Sequence, residues 1–142
     1  LCTRDPTLGG SRWRRRLSDP RSSADRRRAR ALGLEAEFLA RLFLRLTGWR
    51  ILAQSYAAHG GEIDVIARRG SLIIFVEVKA RKSRDAALLA IDGRKIARLS
   101  KAARHFLARY PAAQTCAWRG DALLMVPWRW PERVEGAFEL DL

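Results

Sequence analysis

The sequence predicts an α/β domain: a mixed central sheet flanked by helices, in the order α-β-β-β-α-β-(β). Three observations carry this. Two segments repeat their apolar residues with helical spacing. Between them stand three short β-type runs separated by Gly-containing turns. One of these runs, residues 71–80, is almost continuously apolar, as a strand covered on both faces must be.

Residues 1–28 show no apolar periodicity and are rich in Arg, Ser, Gly, Pro and Asp, which predicts a disordered basic arm. The domain proper is expected to span residues 29–142. From 29 to 47, Leu32, Ala36, Leu39, Phe43 and Leu46 line one side of a helix, and Gly48 stands where a helix-ending glycine would. Residues 49–56 read as a first strand, 57–61 as a turn and 62–68 as a second strand. A short connection containing Gly70 leads to the third strand. Residues 81–93 read as a loop or partial helix. Residues 92–110 form a helix with Ile96, Leu99, Ala103, Phe106 and Tyr110 on its apolar side, ended by Pro111. A fourth strand lies within 115–128, with a bend at Gly120, and a last one near 133–139. Arg119-Gly120-Asp121 leads into that fourth strand and has no motif meaning of its own.

The 142 residues fit one domain, and 48% apolar residues suffice for one core. The net charge is +13. Residues 1–30 contribute ten Arg and three Asp, and the remainder eighteen Lys or Arg against twelve Asp or Glu. A polyanion is therefore the favoured partner, nucleic acid ahead of membrane lipid. Cys2 and Cys116 have no metal-ligand spacing, so a reducing cytoplasm is the expected location. No run long enough to span a membrane is present, and the N-terminus lacks the apolar centre of a signal peptide. Asp5, Asp19 and Asp25 argue against a transit peptide, and a first residue of Leu fits a fragment or a misassigned start.

The chemistry concentrates in residues 60–83, GGEIDVIARRGSLIIFVEVKARKS. Side chains alternate across a strand, so Glu77 and Lys79 share a face with Ile73 and Phe75, and Glu62 and Asp64 share a face of the preceding strand. Antiparallel pairing would let Asp64 and Glu77 converge on one ion with Lys79 beside them. Two carboxylates suit Mg²⁺ (or Mn²⁺), and a neighbouring lysine suits charge developing on a phosphoryl group. An ordinary cross-strand salt bridge is the competing reading. Glu62 either faces the metal or accepts hydrogen bonds from the Gly60–Gly61 turn.

The same stretch closely resembles the signature of the YraN-like family: Gly61-Glu62-Ile63-Asp64, then Phe75-Val76-Glu77-Val78-Lys79 after a hairpin. The resemblance covers about residues 29–142. It implies a restriction-endonuclease-like fold of the PD-(D/E)XK nuclease superfamily, similar to archaeal Holliday junction resolvases. It further implies metal ligands at Asp64 and Glu77, a catalytic lysine at Lys79, and an accessory carboxylate at Glu37 on the first helix. Lys95 matches a helix lysine of the family and Asp121 the aspartate of its fourth-strand motif, with Gly120 in place of an aromatic. The family's Asn-x-Arg element falls on Ser55 and Ala57, so a phosphate-binding arginine is replaced.

The resulting expectation is a Mg²⁺-dependent nuclease acting on DNA, branched or otherwise structured DNA among the candidates. The alternative is a non-catalytic nucleic-acid-binding module with a vestigial site. Arg81, Lys82, Arg84 and Lys95 are the candidate nucleic-acid contacts, each open also to a structural reading. Trp128 and Trp130 either stack on unpaired bases or, as expected, pack against the sheet edge. A symmetric DNA target would favour a homodimer.

Overall fold

The computed structural model describes residues 23–142. Its elements are α1 (Ser23–Leu46), β1 (Arg50–Ala58), β2 (Gly61–Arg69), β3 (Leu72–Ala80), α2 (Arg84–Leu89), α3 (Gly93–Arg109), a 3₁₀ turn (Pro111–Thr115), β4 (Ala117–Met125) and β5 (Glu132–Phe138). The five strands lie side by side in sequence order. All neighbours are antiparallel except β3 and β4, which are parallel. A parallel pair needs a long crossover, and α2 with α3 provides it.

Two tight hairpins set the register of the first three strands. The β1–β2 loop is His59–Gly60, with φ of 51° and 77°, and Ala58 pairs with Gly61 across it. Positive φ at both loop residues is the type I′ pattern, whose twist matches that of the strands. In the β2–β3 loop Gly70 takes φ 61° and Arg69 pairs with Leu72.

β3 is the centre, with every residue from Ile73 to Val78 buried. Ile73 and Phe75 pack towards α3, against Leu99, Ala103 and Phe106. Ile74, Val76 and Val78 pack towards α1, against Ala36, Ala40 and Leu44. Each large apolar side chain so buried is worth about 1.5–3 kcal/mol. Gly61 marks a close approach: a Cβ there would collide with the Arg98 carbonyl oxygen on α3. Only glycine lets the start of β2 and the α3 backbone lie this near. At Gly120 the ring of Phe138 occupies the space a side chain would need, 2.5 Å from where a Cβ would stand.

Several expectations need correction. α1 begins at Ser23, so residues 23–28 are helical instead of belonging to the arm; residues 1–22 lie outside the described residues. Its buried side is Ala36, Ala40 and Leu44, while Leu32, Leu39 and Leu46 are exposed. The two alanines let the helix axis come close to the sheet, which turns the larger leucines outward. Residues 84–89 form a true short helix, started by Ser83, whose Oγ accepts from the Ala86 N–H. Trp128 and Trp130 do not pack on the sheet; both are exposed.

Candidate active site

The site forms where β2 and β3 part. Paired residues run from Arg69↔Leu72 to Val65↔Val76. At the next step Asp64 meets β3 through its side chain: the Val78 N–H donates to Asp64 Oδ2 at 2.7 Å. Alternation also breaks here, since Ile63 belongs to the α3-side core and Val65 to the α1-side core. In the β1 register Gln54 pairs with Val65 and Tyr56 with Ile63, which puts Ser55 opposite Asp64. Ser55 has φ 47°, a left-handed conformation uncommon for a residue other than glycine. The backbone is thus distorted in two strands at the level of the carboxylate.

Glu77 is 1% exposed. Its Oε1 is 2.7 Å from Lys79 Nζ and 3.1 Å from Lys95 Nζ. Its Oε2 is buried with no hydrogen-bond partner. Leaving a buried acceptor unmatched costs ~1–3 kcal/mol, and more when it is charged. Lys79 reaches Oε1 from two residues along the same strand face. Lys95 arrives from the first turn of α3, where Asp92 accepts from its backbone N–H at 2.9 Å and starts the helix. The residue that begins α3 therefore also sets Lys95 over Glu77.

Burial pushes the Asp64 carboxyl up to about 7, and the negative charge of Glu77 adds to the rise; the Val78 N–H and Lys95 oppose it. Glu37 is half-buried on α1, and burial raises its pKa too, against the pull of Arg41, with Glu62 and Glu77 adding to the rise. Glu37 comes from the helix packed on the sheet face away from α3. Among the described residues no three acidic, His or Cys side chains gather closely enough to hold one ion, so Glu37 is felt electrostatically without joining Asp64 and Glu77. Glu62 is exposed, with no hydrogen bond from the Gly60–Gly61 turn.

The cations outside this centre divide. Arg81 and Lys82 are exposed just beyond β3, the Arg81 guanidinium donating to the adjacent Ala80 carbonyl. Arg84 is engaged: its Nε donates to both oxygens of Glu132, at 2.9 and 3.1 Å. His59 packs its ring on His105 at 4.9 Å between centroids, and Tyr56 Oη lies 2.6 Å from His105 Nδ1.

Sequence reasoning passed over a second charged centre. Asp121 is fully buried and accepts from Arg119 Nε and Nη2 (2.6 and 2.9 Å), Arg133 Nη1 (3.0 Å) and the Gly136 N–H (3.0 Å). Despite burial, these donors hold its pKa below the usual carboxylate range, Arg119 foremost among them. The signal was available: Arg119 and Asp121 are two apart on a strand, the spacing that pairs Glu77 with Lys79.

Among the described residues no helix is long and apolar enough to cross a membrane. Comparison with known sequences matches residues 36–125 to the model of uncharacterised protein family UPF0102. A UPF0102 protein of Methylorubrum extorquens is 53% identical over 124 residues, covering 87% of this chain and 95% of that protein. One from Mesorhizobium japonicum is 45% identical over 118 residues (83% and 94%), and one from Paramagnetospirillum magneticum 41% over 117 (80% and 91%). The chain belongs to the UPF0102, or YraN-like, family.

Proposed function

We propose that this UPF0102 protein is a metal-dependent nuclease acting on DNA, with Mg²⁺ or Mn²⁺ held by Asp64 and Glu77. The observation that carries the reading is Glu77 Oε2, a buried carboxylate oxygen without a partner, beside a second carboxylate whose proton affinity is raised. Two hard oxygens of this kind suit Mg²⁺, which takes one or two protein carboxylates and leaves its other positions to water and phosphate. When bound, the ion supplies an activated water and neutralises phosphoryl charge.

The chain's own residues have separate tasks. Asp64 must lose its proton to act as a ligand, and Lys95 favours that loss. Lys79 presents an ammonium, donor only, beside Glu77, in position to meet a phosphate oxygen or orient a water. Glu37 tunes the field from α1. Arg81 and Lys82, exposed beyond β3, would neutralise flanking phosphates. Support for a restriction-endonuclease-like domain comes from the element order and from the antiparallel β2–β3 hairpin followed by a parallel β4.

A second reading, a DNA-binding module with a vestigial site, is favoured by one observation: Lys79 and Lys95 already pair with Glu77 Oε1, so its charge is compensated without an ion. Incubating supercoiled, single-stranded and four-way-junction DNA with Mg²⁺ or Mn²⁺ separates the two. The nuclease cuts at least one substrate, and Asp64→Asn and Lys79→Ala do not. DNA affinity indifferent to both metal and Asp64, with no cutting, would establish the binding module instead.

A further inference from the structure

The β4–β5 loop, residues 126–131, carries two indoles that the fold leaves uncovered. Trp128 is 103% exposed and Trp130 89%. Their position is fixed by the parallel pair. Lys79 is in register with Leu124 and Ala80 with Met125, so β3 and β4 release their chains at the same end of the sheet. That is the end at which Glu77 and Lys79 stand. The Arg81 N–H donates to the Met125 carbonyl at 3.2 Å, and Arg84 holds Glu132. The loop is thus fastened at both ends to the segment that follows Lys79.

Its backbone is unusual. The Arg129 N–H donates to the Val126 carbonyl at 3.2 Å, closing a four-residue turn with Pro127 second and Trp128 third. Trp128 has φ 63°. Proline second and positive φ third is the type II pattern, in which glycine or asparagine is the unstrained third residue. A bulky residue there is a true outlier, and such conformations cluster at ligand-binding sites. The chain keeps an indole where a glycine would relax the turn.

We propose that Trp128 and Trp130 stack on unpaired bases of a single-stranded DNA segment, with Arg129 between them on the phosphate backbone. For the delivery of that strand to the reacting centre, the assignment rests on the nuclease reading; for binding itself it does not. Charge selects this occupant. The exposed cations at this end, Arg81, Lys82 and Arg129, suit a polyanion. Aromatic platforms interleaved with cations bind single strands of any sequence, because every base has a stacking face. Bases inside a duplex offer no such face, so the loop selects frayed, looped or branched DNA.

The test is fluorescence and affinity titration of the full chain with oligothymidylate and with a blunt-ended two-strand duplex of equal phosphate number, in chelator at fixed salt. Oligothymidylate should quench tryptophan emission. Trp128→Ala/Trp130→Ala should lose the quenching and about tenfold or more in single-strand affinity, with under about twofold change on the duplex. Trp128→Phe/Trp130→Phe should keep most of the affinity, since a phenyl ring still stacks. Equal losses on both DNAs, or no loss on either, overturn the assignment. So does an emission shift on anionic phosphatidylserine vesicles with none on oligothymidylate, which would make the loop a membrane contact. Failure of the nuclease reading looks different: no cleavage with any metal, while the loss confined to single strands persists.

Discussion

Two buried carboxylates sit on neighbouring strands, each with two cations, and they are built to opposite ends. Asp121 on β4 has both oxygens saturated, by a forked contact from Arg119, by Arg133 and by the Gly136 N–H. Glu77 on β3 has one oxygen shared by two lysines and the other unmatched. Guanidinium is planar and meets both oxygens at once, whereas an ammonium is a point charge that leaves the second oxygen free. The first arrangement closes a site and the second leaves one open. Burial and charge count are nearly equal in the two, so the distinguishing quantity is unused hydrogen-bonding capacity.

The largest expected effect sharpens that contrast. Asp121→Ala strands Arg119 and Arg133 without their acceptor and should cost ~3–5 kcal/mol of stability, read as a lowered urea midpoint. Glu77→Gln keeps an acceptor for the lysines and should cost clearly less, while removing Mg²⁺ binding measured by calorimetry. Equal destabilisation by the two would dissolve the distinction.

The next effect concerns Asp64 in the metal-free protein. Its folded pKa, about 7, is raised above the ordinary 3.8. The protonated form is thus favoured by folding: this contribution is intact below about pH 4 and is lost as pH rises through 7. Asp64→Asn, neutral throughout, should therefore gain on wild type progressively between pH 4 and pH 7, by about 4 kcal/mol at most, and keep that margin at pH 8 in chelator. A constant difference across that range would mean Asp64 ionises normally.

Smaller again is the pH dependence of metal affinity. The ion competes with a proton on Asp64, so Mn²⁺ affinity should rise about tenfold per pH unit up to 7 and level off above it. Titrations at pH 6, 7 and 8 would show this, and a flat profile would mean that no proton on Asp64 competes with the ion in this range; loss of the slope in Asp64→Asn assigns it to this carboxyl. Least of all should matter the exposed Arg84–Glu132 pair: Arg84→Ala should leave the thermal midpoint essentially unchanged, and a clear drop would show that the pair is more than a solvent-screened contact.

How much of this was legible in the sequence follows from how local each feature is. The hairpin and its three charged residues could be read because strand alternation and a short turn fix their relative places. Helix α3 could be read from its apolar period, and with it Lys95 as an inward-leaning lysine. What escaped depends on distant partners. Arg84 is taken up by Glu132, a residue on the last strand whose neighbour no local pattern indicates. α1 turned on its axis because alanines, the less hydrophobic members of its apolar set, allowed the closest approach to the sheet. The Trp loop escaped because apolarity argues for burial, whereas its exposure follows from a turn conformation that the letters Pro-Trp-Arg-Trp-Pro do not disclose. Ser55 is similar, since nothing in the local letters marks a left-handed backbone at a serine inside a strand.

The parallel pairing of β3 with β4 has a consequence in time. The hairpin that carries Asp64 and Glu77 closes through near neighbours in the chain, but Lys95 can arrive only when the long crossover docks. Until then the two carboxylates face each other without their shared cation. Docking of the crossover should therefore come late in folding, as non-local contacts do. In stopped-flow measurements, shortening α3's hold on the hairpin by Lys95→Ala should speed unfolding more than it slows folding. The chain would then assemble its scaffold first and settle its electrostatics last.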